Sequence, residues 1–382
     1  ATSQPPAVPV INGNVVSPNA YATRWQFFVG IMIAEEPNDY YALVCGGSRI
    51  APNLIVTAAH CITEPACDRC ASWEPVYPKL IAILEGSNTL AGAALNPGIP
   101  ASNGTRREVE AVYVYPSYDP SSYRRDVAVI RTTTDASPGL ENIAIASDSE
   151  MTTLGAAGSG KATSYGGDGP WIGGFGVDCA TDHMLHHANC VRHPNHRPDE
   201  MNEAKVPIIS DERCGAPRAP GLGSMFNKAS MICAGVPDTS SQEITNGKDS
   251  CFGDSGGPLM AADTAHAIPF RLVGLTSFGV EDSTGECANS FYSGYTRLDS
   301  FRSWILSITA VGDGPDGVAN PATITADTPS DTSVRISWTP PITGPVPTSY
   351  RVYRLTPNGI LHRLGTTTSL SLIHISEPTR PE

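Results

Sequence analysis

An all-β protein of short antiparallel strands, with one helix near the end of the strand region, is predicted on three observations. Seven runs are apolar or alternate in polarity and are separated by turn residues: Trp25–Ile33, Leu43–Ile50, Lys79–Glu85, Glu108–Tyr115, Asp126–Thr132, Arg271–Gly279 and Phe291–Leu298. Such runs read as strands rolled into antiparallel barrels. Glycine (36) and proline (33) are abundant among 382 residues while only 16% are charged, which suits a chain with many turns. Helical spacing stands out near Phe301, where Phe301, Trp304, Ile305 and Ile308 recur at i, i+3, i+4 and i+7 behind Asp299 or Ser300 as the N-cap.

The remaining segments follow in chain order. Ala1 to Pro9 is polar and proline-rich, an extended arm. Between Gly155 and Pro198 glycine and histidine dominate and no strand period survives, so a long surface loop is expected. Its glycines lack the strand and spacing of a phosphate loop, which leaves nucleotide binding unsupported. Ala310 to Pro321 is a Gly/Pro/Asp-rich linker. Beyond it, Thr332–Trp338 alternates like a strand with a core tryptophan, followed by Thr339-Pro340-Pro341 and Tyr350-Arg351-Val352-Tyr353. This stretch resembles a fibronectin type III module. Such sandwiches take about 100 residues, and residues 322–382 supply 61, so a truncated module is expected. The tail from Leu372 to Glu382 does not match the next strand of such a module and is expected to stand outside the fold.

Composition narrows the function. Residues 316–382 hold five basic and five acidic residues, so the whole net charge of −13 falls on the part before them. An acidic body speaks against nucleic-acid binding; it mildly attracts basic substrates or simply keeps the surface solvated. No run of eighteen apolar residues exists, so no transmembrane span is expected. Ten cysteines point to an oxidising, extracellular compartment. A chain starting at Ala1 fits a removed secretory signal or a fragment. Asn103-Gly104-Thr105 is a glycosylation sequon on a loop.

The most specific signal is Gly253-Asp254-Ser255-Gly256-Gly257-Pro258. A serine hydroxyl attacks a carbonyl only if a base removes its proton, and the resulting oxyanion needs donors. Flanking glycines let backbone N–H groups converge there. The motif therefore requires a histidine and an orienting carboxylate elsewhere. Thr57-Ala58-Ala59-His60-Cys61 supplies the first, behind the apolar run Leu54-Ile55-Val56; Asp126-Val127-Ala128-Val129-Ile130 supplies the second. The order His60, Asp126, Ser255 is one of three chain orders known for this geometry.

Together these motifs make residues from about Val10 to Ile308 resemble a trypsin/chymotrypsin-type serine protease, over roughly four-fifths of the chain. The resemblance implies two six-stranded antiparallel β-barrels and a C-terminal helix, spanning residues 10–309, with the partial β-sandwich after the linker. It implies Ser255 as nucleophile, His60 as base, Asp126 as orienting acid, and the N–H groups of Gly253 and Ser255 as the oxyanion hole. Asp249, six residues before Ser255, falls where the family floors its primary specificity pocket, and an anion there selects Arg or Lys; the plain alternative is a solvated loop aspartate. Ser250, Ser277, Phe278 and Gly279 match pocket-lining positions. Ser293 stands where trypsin-like members carry glycine, and its hydroxymethyl narrows the pocket, favouring Lys over Arg or weakening both.

Val10-Ile11-Asn12-Gly13 resembles the family's activation sequence, whose new amine at Val10 pairs with the acid before the nucleophile, here Asp254. Pro9 replaces the usual basic residue, so a different, activating protease is implied. Three disulfides follow from the resemblance: Cys45–Cys61, Cys214–Cys233 and Cys251–Cys287. Cys67, Cys70, Cys179 and Cys190 remain; pairing 67–70 and 179–190 is simplest, with crossed pairings open. Cys179, His183, His186, His187, Cys190, His193 and His196 have spacings a zinc ion could use, but oxidising conditions favour a disulfide, and no metal or cofactor is expected. The overall expectation is a secreted, monomeric serine endopeptidase made as a zymogen and acting on protein or peptide substrates. The competing class is a catalytically silent homologue that binds partners.

Overall fold

The computed structural model describes residues 10–35, 40–65, 73–90, 103–154, 170–176, 199–237, 247–263, 269–280, 287, 291–309, 324–330, 333–339, 350–355, 361–367 and 369–375. The chain divides into two compact units, Ala1–Arg302 and Ser303–Glu382. The first opens with a short strand β1 (Asn14–Val15) and a helical turn, Tyr21–Trp25. A closed barrel follows, built from β2 (Phe28–Ile33), β3 (Ala42–Ala51), β4 (Leu54–Thr57), β5 (Ile81–Glu85), β6 (Thr105–Val114) and β7 (Ala128–Thr132) in the order β2-β3-β4-β7-β6-β5. Side chains two apart share a face of a strand, and the inward set is Val29 and Ile31, Ile81 and Ile83, Ala128 and Ile130. In β6 the register shifts between Val109 and Ala111, so that Val109 faces this core and Val112 and Val114 continue on the same side.

The second half is one antiparallel sheet of eight strands. It adds β8 (Trp171–Gly174), β9 (Asn202–Lys205), β10 (Ile208–Ile209), β11 (Met231–Ala234), β12 (Pro258–Ala262), β13 (Phe270–Phe278) and β14 (Ser293–Arg297) to β1, in the order β1-β9-β8-β12-β13-β14-β11-β10. Of the two expected six-stranded antiparallel barrels, one is present as a closed barrel, while the other half is an eight-stranded sheet. Both faces of β11 are buried: Ile232 and Ala234 enter one core cluster, Met231 and Cys233 another. A strand covered on both faces reads as a continuous apolar run without alternation.

Strand β8 corrects the sequence reading, which placed it inside a surface loop. Its four residues are all buried. Its glycines are required by close packing: a Cβ on Gly173 would lie 2.7 Å from the Trp25 ring, and one on Gly174 would collide with the Asp254 carboxylate. Trp25, expected to start a strand, closes the helical turn instead, where its indole N–H donates to Glu203 Oε2 at 2.5 Å. Phe301 lies in a short 3-10 turn (Asp299–Phe301) and a helix runs from Arg302 to Thr309, close to the expected helix.

In the second unit β15 (Ile324–Ser330), β16 (Ser333–Trp338) and β19 (Ser371–Ile375) form a three-stranded sheet, and β17 (Tyr350–Leu355) pairs with β18 (Leu361–Thr367). The tail is therefore partly inside the fold: β19 pairs antiparallel with β16 from Ser333↔Ile375 to Ser337↔Ser371. The correction has a simple cause. The β16 edge satisfies the tail's backbone donors and acceptors, a pairing that a local motif search does not register. No helix among the described residues is long and apolar enough to cross a membrane.

Candidate active site

Neighbouring strands bring His60 and Asp126 together. β4 and β7 pair with Thr57 opposite Ala128, so the residues just beyond these two strand ends must meet. After β4 the chain turns through the 3-10 segment Ala59–Cys61, and the Cys45–Cys61 disulfide ties that turn to β3. Asp126 is fully buried and accepts three hydrogen bonds: from the His60 amide to Oδ1 at 2.9 Å, from His60 Nδ1 to Oδ2 at 2.7 Å, and from Ser277 Oγ to Oδ2 at 2.5 Å. Thr296 Oγ1 on β14 donates to the Asp126 carbonyl at 2.6 Å. The barrel thus supplies the acid and the sheet locks it. Burial pulls the His60 pKa down, and the charge and hydrogen bond of Asp126 outweigh this and leave it raised above the usual histidine value.

Ser255 arrives from the other half, in the turn leading into β12. Gly46 N donates to the Ser255 carbonyl at 2.8 Å, which pins this turn to β3. Gly253 and Gly256 have φ of 97° and 71°. A Cβ on Gly256 would strike Thr57 Oγ1 and lie 2.6 Å from the Gly46 carbonyl, so no larger residue fits between the two halves. Among the described residues the amides of Gly253 and Ser255 donate to no protein acceptor, leaving both N–H groups available to a ligand oxygen. Ser255 and His60 line one cavity of about 310 Å³; among the described residues no hydrogen bond joins them directly.

Asp249 and Ser293 lie in the same cavity, both buried, with Phe252 47% exposed at its rim. Ser293 Oγ donates to Asp249 Oδ2 at 2.6 Å and the Ser250 amide donates to Oδ1 at 2.8 Å. Asp249 is therefore a buried acid rather than a solvated loop aspartate. Ser250, Phe278 and Gly279 line the cavity. Ser277 also borders it, yet its hydroxyl is directed to Asp126, so it positions the acid. Tyr123 was not foreseen. Its φ is +51°, its ring stacks on Phe278 at 5.7 Å and meets the His60 ring edge-on at 5.6 Å. A tyrosine three residues ahead of Asp126 was the available signal.

Val10 is buried in the core of the sheet, and the Ile11 amide donates to the Asp249 carbonyl at 2.9 Å. Asp254 accepts from Gly176 N at 2.8 Å and from Cys251 N at 2.9 Å. The three disulfides implied by resemblance, Cys45–Cys61, Cys214–Cys233 and Cys251–Cys287, are formed. Cys67, Cys70, Cys179, Cys190, the loop histidines and Pro9 lie outside the described residues. Cys45, Cys61 and His60 cluster closely enough to ligate a metal, but the two sulfurs are bonded to each other and offer no thiolate.

Comparison with known proteins identifies the family. The trypsin family model matches residues 11–305. Serine protease 56 of Homo sapiens is 25% identical over 299 residues, covering 78% of this chain but 38% of its own length. The clotting factor G beta subunit of Tachypleus tridentatus is 26% identical over 306 residues, covering 78% of this chain and 79% of its own. Trypsin alpha of Drosophila erecta is 29% identical over 266 residues, covering 69% and 77%. With the family model spanning most of its length, the chain belongs to the trypsin family of serine proteases.

Proposed function

We propose that this chain is a secreted serine endopeptidase that cleaves protein or peptide substrates after Lys or Arg. The observation that carries the reading is the single cavity shared by Ser255, the Asp126-bound His60 and the buried Asp249. Asp126 fixes the tautomer of His60 with the proton on Nδ1, which leaves Nε2 to accept a proton. Ser255 Oγ attacks the scissile carbonyl while Nε2 takes its proton, and the oxyanion receives the N–H groups of Gly253 and Ser255. The imidazolium, stabilised by Asp126, then protonates the leaving amine. Water repeats the sequence on the acyl-enzyme, with His60 again as base. The absent His60–Ser255 bond is compatible with this, because such bonds tighten when substrate binds. Asp249 would pair with the substrate cation.

The chain is read as a zymogen: cleavage before Val10 by another protease frees an amine for Asp254, a buried carboxylate that a cation would stabilise. Residues 322–382 are read as a fibronectin-like module that anchors the enzyme or presents substrate, and the enzyme as a monomer. A fluorophosphonate probe tests the central claim. Processed protein should label at Ser255, and Ser255→Ala should lose labelling and about 10⁶-fold in turnover while folding normally. Failure of the processed protein to label would favour the silent homologue. On a substrate with an uncharged primary residue, activity should fall as the medium is acidified. Protonated His60 cannot act as base, and its raised pKa places that fall above the ordinary histidine value of 6.5.

A further inference from the structure

Among the described residues Asp249 is given hydrogen bonds but no positive charge. It is 4% exposed, and its two oxygens are taken by the Ser250 amide and the Ser293 hydroxyl. The titratable groups facing it are Asp254 from the same turn, whose charge opposes ionisation, and Tyr295 from β14, whose hydroxyl lies 3.2 Å from Ser250 Oγ. His60 lines the same cavity, and among the described residues no lysine or arginine does. Burial, partly offset by the two donors and reinforced by Asp254, pushes the Asp249 carboxyl up to about 7. An acid so raised is neutral below that value and anionic above it.

We propose that Ser293 is a specificity-determining residue that lets the pocket floor alternate between anion and neutral acid, so that the preferred primary side chain changes with pH. Its hydroxyl can do what glycine there cannot. It donates to the carboxylate in one state and accepts from the protonated acid, which has drawn its proton from solvent, in the other. Both floors are therefore hydrogen-bonded without a bound cation. Above neutrality the anion demands an ammonium or guanidinium. Below it, a neutral floor among Phe278, Val280, Phe291 and Tyr292 accepts uncharged apolar or aromatic side chains with no stranded charge beneath them. The inference rests on the hydrolase reading above and deepens its substrate class.

The test measures kcat/KM on paired peptides that differ only in the primary residue, Lys against Phe, across about pH 5 to 9, on the processed full chain normalised to fluorophosphonate-labelled sites. His60 titration affects both substrates alike, so it cancels in the ratio, which reports the free enzyme. The Lys/Phe ratio should rise with pH through the titration of the floor, by about tenfold per pH unit, from a plateau favouring Phe to one favouring Lys. Ser293→Ala removes a donor to the anion and should move the midpoint up by about one pH unit, while Asp249→Asn should give a flat ratio favouring Phe. A flat ratio in the unmutated protein, or an unmoved midpoint in Ser293→Ala, overturns the inference while leaving the hydrolase reading intact. Labelling without cleavage after Lys at any pH instead overturns basic specificity itself.

Discussion

Asp126 and Asp249 are the same residue type, both buried, both held by a serine hydroxyl from the sheet, at 2.5 Å from Ser277 and 2.6 Å from Ser293. They differ in what completes the set. Asp126 has the imidazole of His60 at 2.7 Å, a group able to carry positive charge, as a permanent partner. Asp249 has an amide and a hydroxyl, with the further carboxylate of Asp254 opposing its charge. Burial without a counter-charge is costly for an anion, and hydrogen bonds alone recover only part of that cost. One acid is therefore complete in the resting protein and serves as a fixed support. In the proposed reading the other is completed when a substrate brings a cation to it.

The comparison breaks most visibly at Asp126. Asp126→Asn keeps the shape and can still accept from the His60 amide, but its NH₂ group favours the wrong imidazole tautomer. The proposed mechanism then loses about 10⁴-fold in kcat, equally for peptides with Lys, Arg or Phe at the primary position. Stopped assays on all three check this, and a loss confined to basic peptides would show that the two acids do not divide the work.

Asp249→Asn is expected to act in the opposite pattern. It should lower kcat/KM on a Lys peptide by about 10²-fold, the scale of unpairing a buried charge, and spare kcat on a Phe peptide. It should also change stability. An acid whose folded pKa is raised contributes stability that is fully present below its unfolded pKa and is lost as pH rises toward the folded value. For Asp249 that window runs from the ordinary 3.8 to about 7. At about pH 8 the penalty reaches the order of 4 kcal/mol, and the asparagine variant escapes it. Denaturant unfolding should show the variant gaining on the unmutated protein between acid and alkaline pH. Equal stability at both ends would mean the floor is hydrated.

This division explains what the sequence could disclose. His60, Asp126 and Ser255 each sit in a local motif, and the strand runs around them alternate visibly, so the barrel and the residues proposed for the chemistry were readable. Ser293 was recognised as a departure in size, but its hydrogen bond to Asp249 joins residues 44 apart through a rotamer that composition does not encode. Ser277 was placed at the pocket wall, whereas its donation to Asp126 spans 151 residues and two halves of the unit. Strand β8 was hidden because it is covered on both faces, with glycines where Trp25 and Asp254 press on it. Strand β19 was hidden because its partner β16 begins 38 residues earlier.

The finest test removes the serine donor on each side. Ser277→Ala leaves Asp126 with its two bonds from His60 and costs it one charge-assisted hydrogen bond, worth about tenfold in kcat with KM unchanged. The effect should have a pH signature. With one donor gone, more of the negative charge on Asp126 is left to the imidazolium, which raises the His60 pKa further, so the acid limb of the profile should move to higher pH for every substrate. Ser293→Ala removes the equivalent bond at the floor, yet should leave kcat on a Phe peptide unchanged and shift only the ratio between charged and uncharged substrates. If both deletions moved the same parameter, the serines would be interchangeable packing. If they separate, the partner opposite each acid, rather than the serine itself, decides whether that acid supports the chemistry or selects the substrate.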